Sequence, residues 1–219
     1  MGRKPQGRIK QLVIGLLFVG MLVTPLASPA AWAVDNNWTF GFRVGPSILT
    51  QDVVDEDLLG TEVSSGVGPA VNFQALYGIS RYISVGLALE WQRHSFDVDS
   101  PSTDIGTLNT VSLLPTVEIR PGRYGKFMPY GTLAFGVNLN SFSEDDALAG
   151  INVDVDNTFA LRIGAGTDYF LTPHLALNTE LAWKMNSGDA TLTVPGIGSA
   201  SGDFNASSMM FLFGVRYHM

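Results

Sequence analysis

The sequence predicts an all-β fold: an eight-stranded antiparallel transmembrane β-barrel of the outer-membrane type, preceded by a cleaved signal peptide. Three observations lead there. The last eleven residues alternate strictly, with Met209, Phe211, Phe213, Val215, Tyr217 and Met219 on one side and Met210, Leu212, Gly214, Arg216 and His218 on the other. A period of two is the spacing of a strand with two unlike faces. The same pattern recurs seven more times upstream, with small or charged residues on the second face. Lipid outside and a polar lumen inside require that arrangement. The connections between these segments also alternate short and long, as they do in a barrel whose termini both lie in the periplasm.

The chain opens with a basic region, Arg3, Lys4, Arg8 and Lys10, followed by an apolar run from Leu12 to Leu26. Ala31-Trp32-Ala33 supplies a small-x-small cleavage pattern. Residues 1–33 therefore read as a secretory signal peptide cut before Val34. A helical span is the competing reading, but the run falls short of the ~20 residues a span needs, and Pro25 interrupts its end. The mature chain, residues 34–219, has the size of one domain.

The first strand is expected at Asn37 to Leu49, with Trp38, Phe40, Phe42 and Val44 facing lipid. The second runs from about Ser65 to Ile79, with Val71, Phe73, Ala75 and Tyr77 outward and Ala70, Asn72 and Gln74 inward. The third, about Tyr82 to Phe96, alternates Ile83, Val85, Leu87, Leu89 and Trp91 with Ser84, Gly86, Ala88, Glu90 and Gln92. The fourth, about Thr107 to Arg120, carries Pro115 on its outward face. Proline offers no ladder donor, so a bulge is expected there. The fifth is about Phe127 to Leu139, the sixth Thr158 to Phe170, the seventh His174 to Asn186, and the eighth the terminal strand entered from about Phe204. Each exceeds the ~9–11 residues that a tilted strand needs to cross a bilayer.

Ser80-Arg81, Pro121 to Lys126 and Leu171 to Pro173 are short turns rich in turn residues. Thr50 to Ser64, Asp97 to Gly106, Asn140 to Asn157 and Ser187 to Asp203 are the long outer loops. Trp38, Tyr77, Phe127, Tyr169 and Tyr217 fall at periplasmic strand ends, and Trp91 and Trp183 toward the outer ends. Two such girdles mark the two interfaces of a membrane. In a soluble sandwich the same aromatics would face a core.

Four of the 13 basic residues belong to the signal region, so the mature chain is more acidic than the net charge of −7 for the whole sequence. Nucleic acid is a poor partner for such a surface. There is no cysteine, hence neither disulfide nor thiolate metal site. The long loops hold fifteen of the 20 acidic residues and no Lys or Arg. A solvated rim accounts for this. Divalent cations bridging to lipopolysaccharide phosphates are the alternative, since dense carboxylates suit hard cations, although no spaced calcium loop occurs.

The lumen-facing set is Arg43, Glu90, Glu118, Arg120, Arg162, Asp168, Glu180, Lys184 and Arg216. Its near balance predicts ion pairs rather than a charged pore, and eight strands leave an interior just wide enough for side chains or one small ligand. No cofactor motif or metal motif appears. Catalysis has little basis. His94 and Ser95 are neighbours on a strand and point to opposite faces, while His174 and His218 lie far from the long loops.

Leu113-Leu114-Pro115-Thr116, Gly125-Lys126-Phe127-Met128-Pro129-Tyr130 and the following Gly131 to Asn140 resemble the OmpW family of small outer-membrane barrels. Trp38 with Arg43-Val44-Gly45 is similar to that family's first strand, and Ile79 to Leu89 to its third. Met219 departs from the family, which ends in an aromatic, and the outer loops are more acidic than a gate for hydrophobic ligands would require. The resemblance implies a narrow channel passing small hydrophobic compounds across the outer membrane, with membrane lipid and lipopolysaccharide as neighbours. A structural or adhesive barrel of the OmpX or OmpA-domain type is the rival, and a lipid-modifying enzyme a more distant one. Apolar residues in the lumen near the outer rim favour transport; a fully ion-paired lumen favours the rival.

Overall fold

The computed structural model describes residues 37–50, 63–99, 102–144, 152–194 and 198–219. The signal region and its cleavage site lie outside them. Twelve strands follow in chain order: β1 (Trp38–Leu49), β2 (Val63–Ser65), β3 (Gly68–Gly78), β4 (Ile83–Asp99), β5 (Ser102–Ile119), β6 (Phe127–Glu144), β7 (Asn152–Val155), β8 (Thr158–Phe170), β9 (Leu175–Met185), β10 (Ser187–Val194), β11 (Gly198–Asn205) and β12 (Ser208–His218).

Eight of these form the wall, in the order β1, β3, β4, β5, β6, β8, β9, β12, and β12 returns to pair with β1. All wall neighbours are antiparallel. Closure leaves no strand edge, which lipid could not hydrogen-bond. The faces are those the alternation predicts. Phe73, Phe135 and Phe213 are each 50% exposed, whereas Arg43, Glu90, Glu118 and Arg216 are 0–1% exposed. That inverts the rule for a soluble protein. An apolar belt running round the whole wall is stable only against a greasy solvent.

The short turns are built from local chemistry. Ser80 Oγ accepts a bond from the Ile83 amide at 3.1 Å, and Thr172 Oγ1 accepts one from the Leu175 amide at 2.9 Å. Between β5 and β6, Gly125 takes φ +62° so that Tyr124 and Phe127 can exchange backbone bonds at 2.7 and 3.0 Å. The chain end is tied down too, with the Met219 amide on the Trp38 carbonyl at 2.9 Å.

Three expectations change. Two long connections contain strands: β7, β10 and β11 form a separate three-stranded sheet, with β10 in the centre. Thr191 and Ser201, and Thr193 and Ser199, face each other there in hydrogen-bonded pairs that amphipathic alternation does not reveal. Second, β4, β5 and β6 run beyond the expected strand ends, and β2 adds a short pairing to β4. Trp91 consequently sits mid-strand, opposite Val71 and Val111, instead of near the outer end. Third, among the described residues the one register shift in the wall ladders falls between Phe96 and Asp97. At Pro115 the register is kept, and the ladder to β6 simply lapses for Leu114 and Pro115. Leu212 lies on the lumen side, as the alternation predicts, and is fully buried among Ala70, Ala182 and Met210.

Of the acidic loop residues, Asp52, Asp55, Glu56, Asp57, Glu62, Asp145 and Asp146 lie outside the described residues. Among the described residues no group of three acidic or histidine side chains is placed to hold a metal ion.

Candidate functional site

The lumen is layered. At its outer end the inward positions of β1, β4 and β5 carry Leu49, Phe96 and Leu108, joined by Phe204 and Ala206. Phe142, Val155 and Ala190 pack onto this cluster, the last two from β7 and β10. The rings of Phe96 and Phe142 stack at 6.3 Å. Period two places all four large residues on the lumen side, but their hydrophobic character masks them in a search for charged lumen positions.

Beneath lies a layer of amides and hydroxyls. Asn186 donates to Asn140 Oδ1 at 2.9 Å and accepts from Thr158 Oγ1 at 2.6 Å. Ser112 Oγ donates to Asn138 Oδ1 at 2.7 Å and receives Lys184 Nζ at 3.0 Å. His94 shares a 3.1 Å bond with Ser47 from the neighbouring face of the lumen, while Ser95 points outward.

The charged residues follow in two linked groups. In the first, Glu90 binds Arg162 Nε at 2.9 Å, Lys184 Nζ at 3.2 Å and Asn72 Nδ2 at 3.1 Å. Glu180 binds Arg162 Nη2 at 2.5 Å and also pairs with Arg43. Arg43 Nη2 donates further to Asn72 and Gln74, both at 2.5 Å. In the second, Glu118 receives Arg216 at 2.6 Å and Arg120 at 2.5 Å. Asp168 receives Arg216 at 3.3 Å and Asn178 at 2.6 Å, with His218 Nε2 at 3.3 Å. Tyr130 joins the groups: its hydroxyl accepts from Arg43 at 3.3 Å and Asn178 at 2.8 Å.

All nine charged residues expected in the lumen are therefore there, and every one is ion-paired. None is more than 2% exposed. Such pairs add little net stability, because desolvation cancels much of the attraction, but an unpartnered member is very costly. The network therefore fills the lumen at this depth and resists opening by loss of single contacts. Sequence reasoning missed Tyr130 as the joint. Its parity with Thr132 and Ala134 on β6 is the signal that places it inside.

The wall beside the network has one further feature. Between β5 and β6 the pairs stop at Leu113 with Val137 and resume at Thr116 with Ala134. Pro115 has no amide hydrogen to offer there. Just inside, Leu114 packs with Ala88, Ala134 and Ala160.

A closed eight-stranded wall, a lipid-facing apolar belt and a sealed polar lumen define an outer-membrane β-barrel. The chain belongs to the outer membrane protein beta-barrel domain family, whose model matches residues 16–218. The membrane it occupies is accordingly the Gram-negative outer membrane.

Solved structures share the fold. OprG from Pseudomonas aeruginosa is 18% identical, with a TM-score of 0.68 over 84% of this chain and 96% of that one. AlkL, solved by solid-state NMR in DMPC bilayers, is 17% identical, with a TM-score of 0.65 over 90% and 97%. Both are small barrels of the OmpW type that the sequence resembles. Neisserial surface protein A follows at 14% identity and a TM-score of 0.50, over 85% and 99%. A comparison with curated proteins gave no match.

Proposed function

We propose that the protein passes small hydrophobic molecules from the outer mouth of the barrel into the membrane through the side of the wall. The carrying observation is the lapse of the β5–β6 ladder at Pro115, backed by Leu114 and three alanines and lying next to a lumen closed by ion pairs. A solute blocked by charged pairs below has an apolar wall beside it, and lipid beyond that is a better solvent for it than water. The cluster of Leu49, Phe96, Leu108 and Phe204 offers a first apolar contact at the outer end. In this reading the reacting partners are solute and lipid alone, with lipopolysaccharide as a neighbour, and no catalytic step is involved.

The ion-paired lumen favours a second reading, a structural barrel that transports nothing. Uptake of a small hydrophobic compound by cells with and without the protein, alongside planar-bilayer conductance, separates the two. Transport predicts greater uptake with the protein and poor conductance. Equal uptake leaves the structural barrel, and large steady conductance means an open aqueous pore.

A further inference from the structure

The ladder between β1 and β12 lapses in the same way as that between β5 and β6. Its pairs stop at Val44 with Phe213 and resume at Ser47 with Met210. The skipped positions put Gly45 across from Leu212 and Pro46 across from Phe211. At the other break, Gly136 lies across from Leu114 and Phe135 from Pro115. Each break thus has proline facing phenylalanine on the lipid side and glycine facing leucine on the lumen side. The register is unchanged through both, so neither is a bulge. Among the described residues the remaining six wall ladders have no such gap; β4–β5 skips Ile105 at its outer bulge, where the register shifts.

The breaks are diametrically opposed. Strands β1, β3, β4 and β5 lie between them on one side, and β6, β8, β9 and β12 on the other. Each is backed by apolar side chains where much of the inner wall is amide or charge. Leu114 has Ala88, Ala134 and Ala160; Leu212 has Met210, Ala70 and Ala182. A Cβ on Gly45 would stand 1.9 Å from the Phe211 carbonyl oxygen, so that carbonyl leans over the glycine. Gly86 and Gly214 are overhung in the same way, yet their ladders hold. A proline, which cannot donate, stands beside Gly45 in one broken seam and beside Leu114 in the other, although Pro129 is opposite Thr167 in a ladder that holds.

We propose that the β1–β12 seam at Gly45-Pro46 and Phe211-Leu212 is a second lateral site for a small, uncharged hydrocarbon-like solute, opposite the one at Pro115. This rests on the lateral-exit reading above. Missing ladder bonds lower the cost of parting the strands, and the apolar lining spares the solute contact with the charged network.

The chain has no cysteine of its own, so engineered pairs act alone. Pro46→Cys with Phe211→Cys ties the β1–β12 seam, and Pro115→Cys with Phe135→Cys ties β5–β6. Naphthalene uptake by cells is read for each oxidised variant, for both together, and after reduction. Either tether alone is expected to leave part of the uptake, both to abolish it, and reductant to restore it. Complete loss with the β5–β6 tether alone overturns the second site and keeps the first. Unaltered uptake with both tethers overturns lateral exit itself and the second site with it. The unmutated protein gives an independent measurement in lipid vesicles with a photoreactive aliphatic diazirine. Labelling of the inward residues Leu212 and Met210 as well as Leu114 is expected; labelling of Leu114 without Leu212 or Met210 overturns the proposal.

Discussion

The guanidinium of Arg216 lies over the ring of Tyr130, 4.1 Å from its centroid, while the same residue's hydroxyl holds Arg43 and Asn178. One side chain thus stacks on Arg216 of the lower charged group and, through its hydroxyl, joins Arg43 of the upper group to Asn178 of the lower. Tyr130→Phe keeps the stacking and loses the bonds, and should cost about 1–2 kcal/mol. Tyr130→Ala loses both and leaves a cavity, which raises the cost to about 3–5 kcal/mol. Urea titration of reversible refolding into vesicles measures both costs; an unchanged stability for Tyr130→Phe would mean that the hydroxyl does not join the groups.

Glu180 is shared by Arg43 and Arg162, all three buried. Glu180→Gln removes the charge and keeps the shape, leaving two guanidinium groups with reduced compensation. A loss of about 3–5 kcal/mol is expected in the same refolding assay. A loss well under 1 kcal/mol would show that water reaches this layer.

The intact barrel should conduct ions poorly, because its charged layer is closed. Arg162→Ala removes the cation between Glu90 and Glu180 and makes room for water in a polar site. Planar-bilayer conductance should rise in the variant while its folded band still survives SDS without boiling. An unchanged trace in a folded variant would place the constriction elsewhere.

Phe213 points at lipid, and Arg in its place should cost about 2–4 kcal/mol at mid-bilayer depth. The fully buried Leu212 offers an added guanidinium neither space nor water, so Leu212→Arg should be at least as costly. A nearly neutral Leu212→Arg in refolding would mean that the lumen here is hydrated.

At Gly214 a Cβ would stand 1.9 Å from the Phe42 carbonyl oxygen, a backbone atom that cannot swing away, whereas at Gly66 it would meet nothing within 4 Å. Gly214→Ala should cost about 1–3 kcal/mol from overpacking, and Gly66→Ala should change stability little. Similar midpoints for the two variants in urea would contradict the close approach of β1 and β12.

The sequence by itself determined the wall. Alternation in β1, β3, β4, β8 and β12 is legible because a strand with lipid on one side and a narrow lumen on the other has no freedom in which side chains it can turn each way. Parity also set Arg43, Glu90, Glu118, Arg120, Arg162, Asp168, Glu180, Lys184 and Arg216 inside, and their near neutrality implied pairing. Which carboxylate meets which cation was not legible, since partners such as Arg43 and Glu180 lie on strands far apart in sequence and meet only because closure of the ring seats β12 between β1 and β9. The same holds for Tyr130, whose role comes from what surrounds it. The outer sheet of β7, β10 and β11 escaped because its strands are only 4 to 8 residues long and β11 is mostly glycine, serine and alanine, although Val153 and Val155 and then Ala190, Leu192 and Val194 do alternate. Pro46 and Pro115 could each be read as lacking a donor, but only closure of the ring, which brings β12 back to β1, set the two broken seams opposite each other.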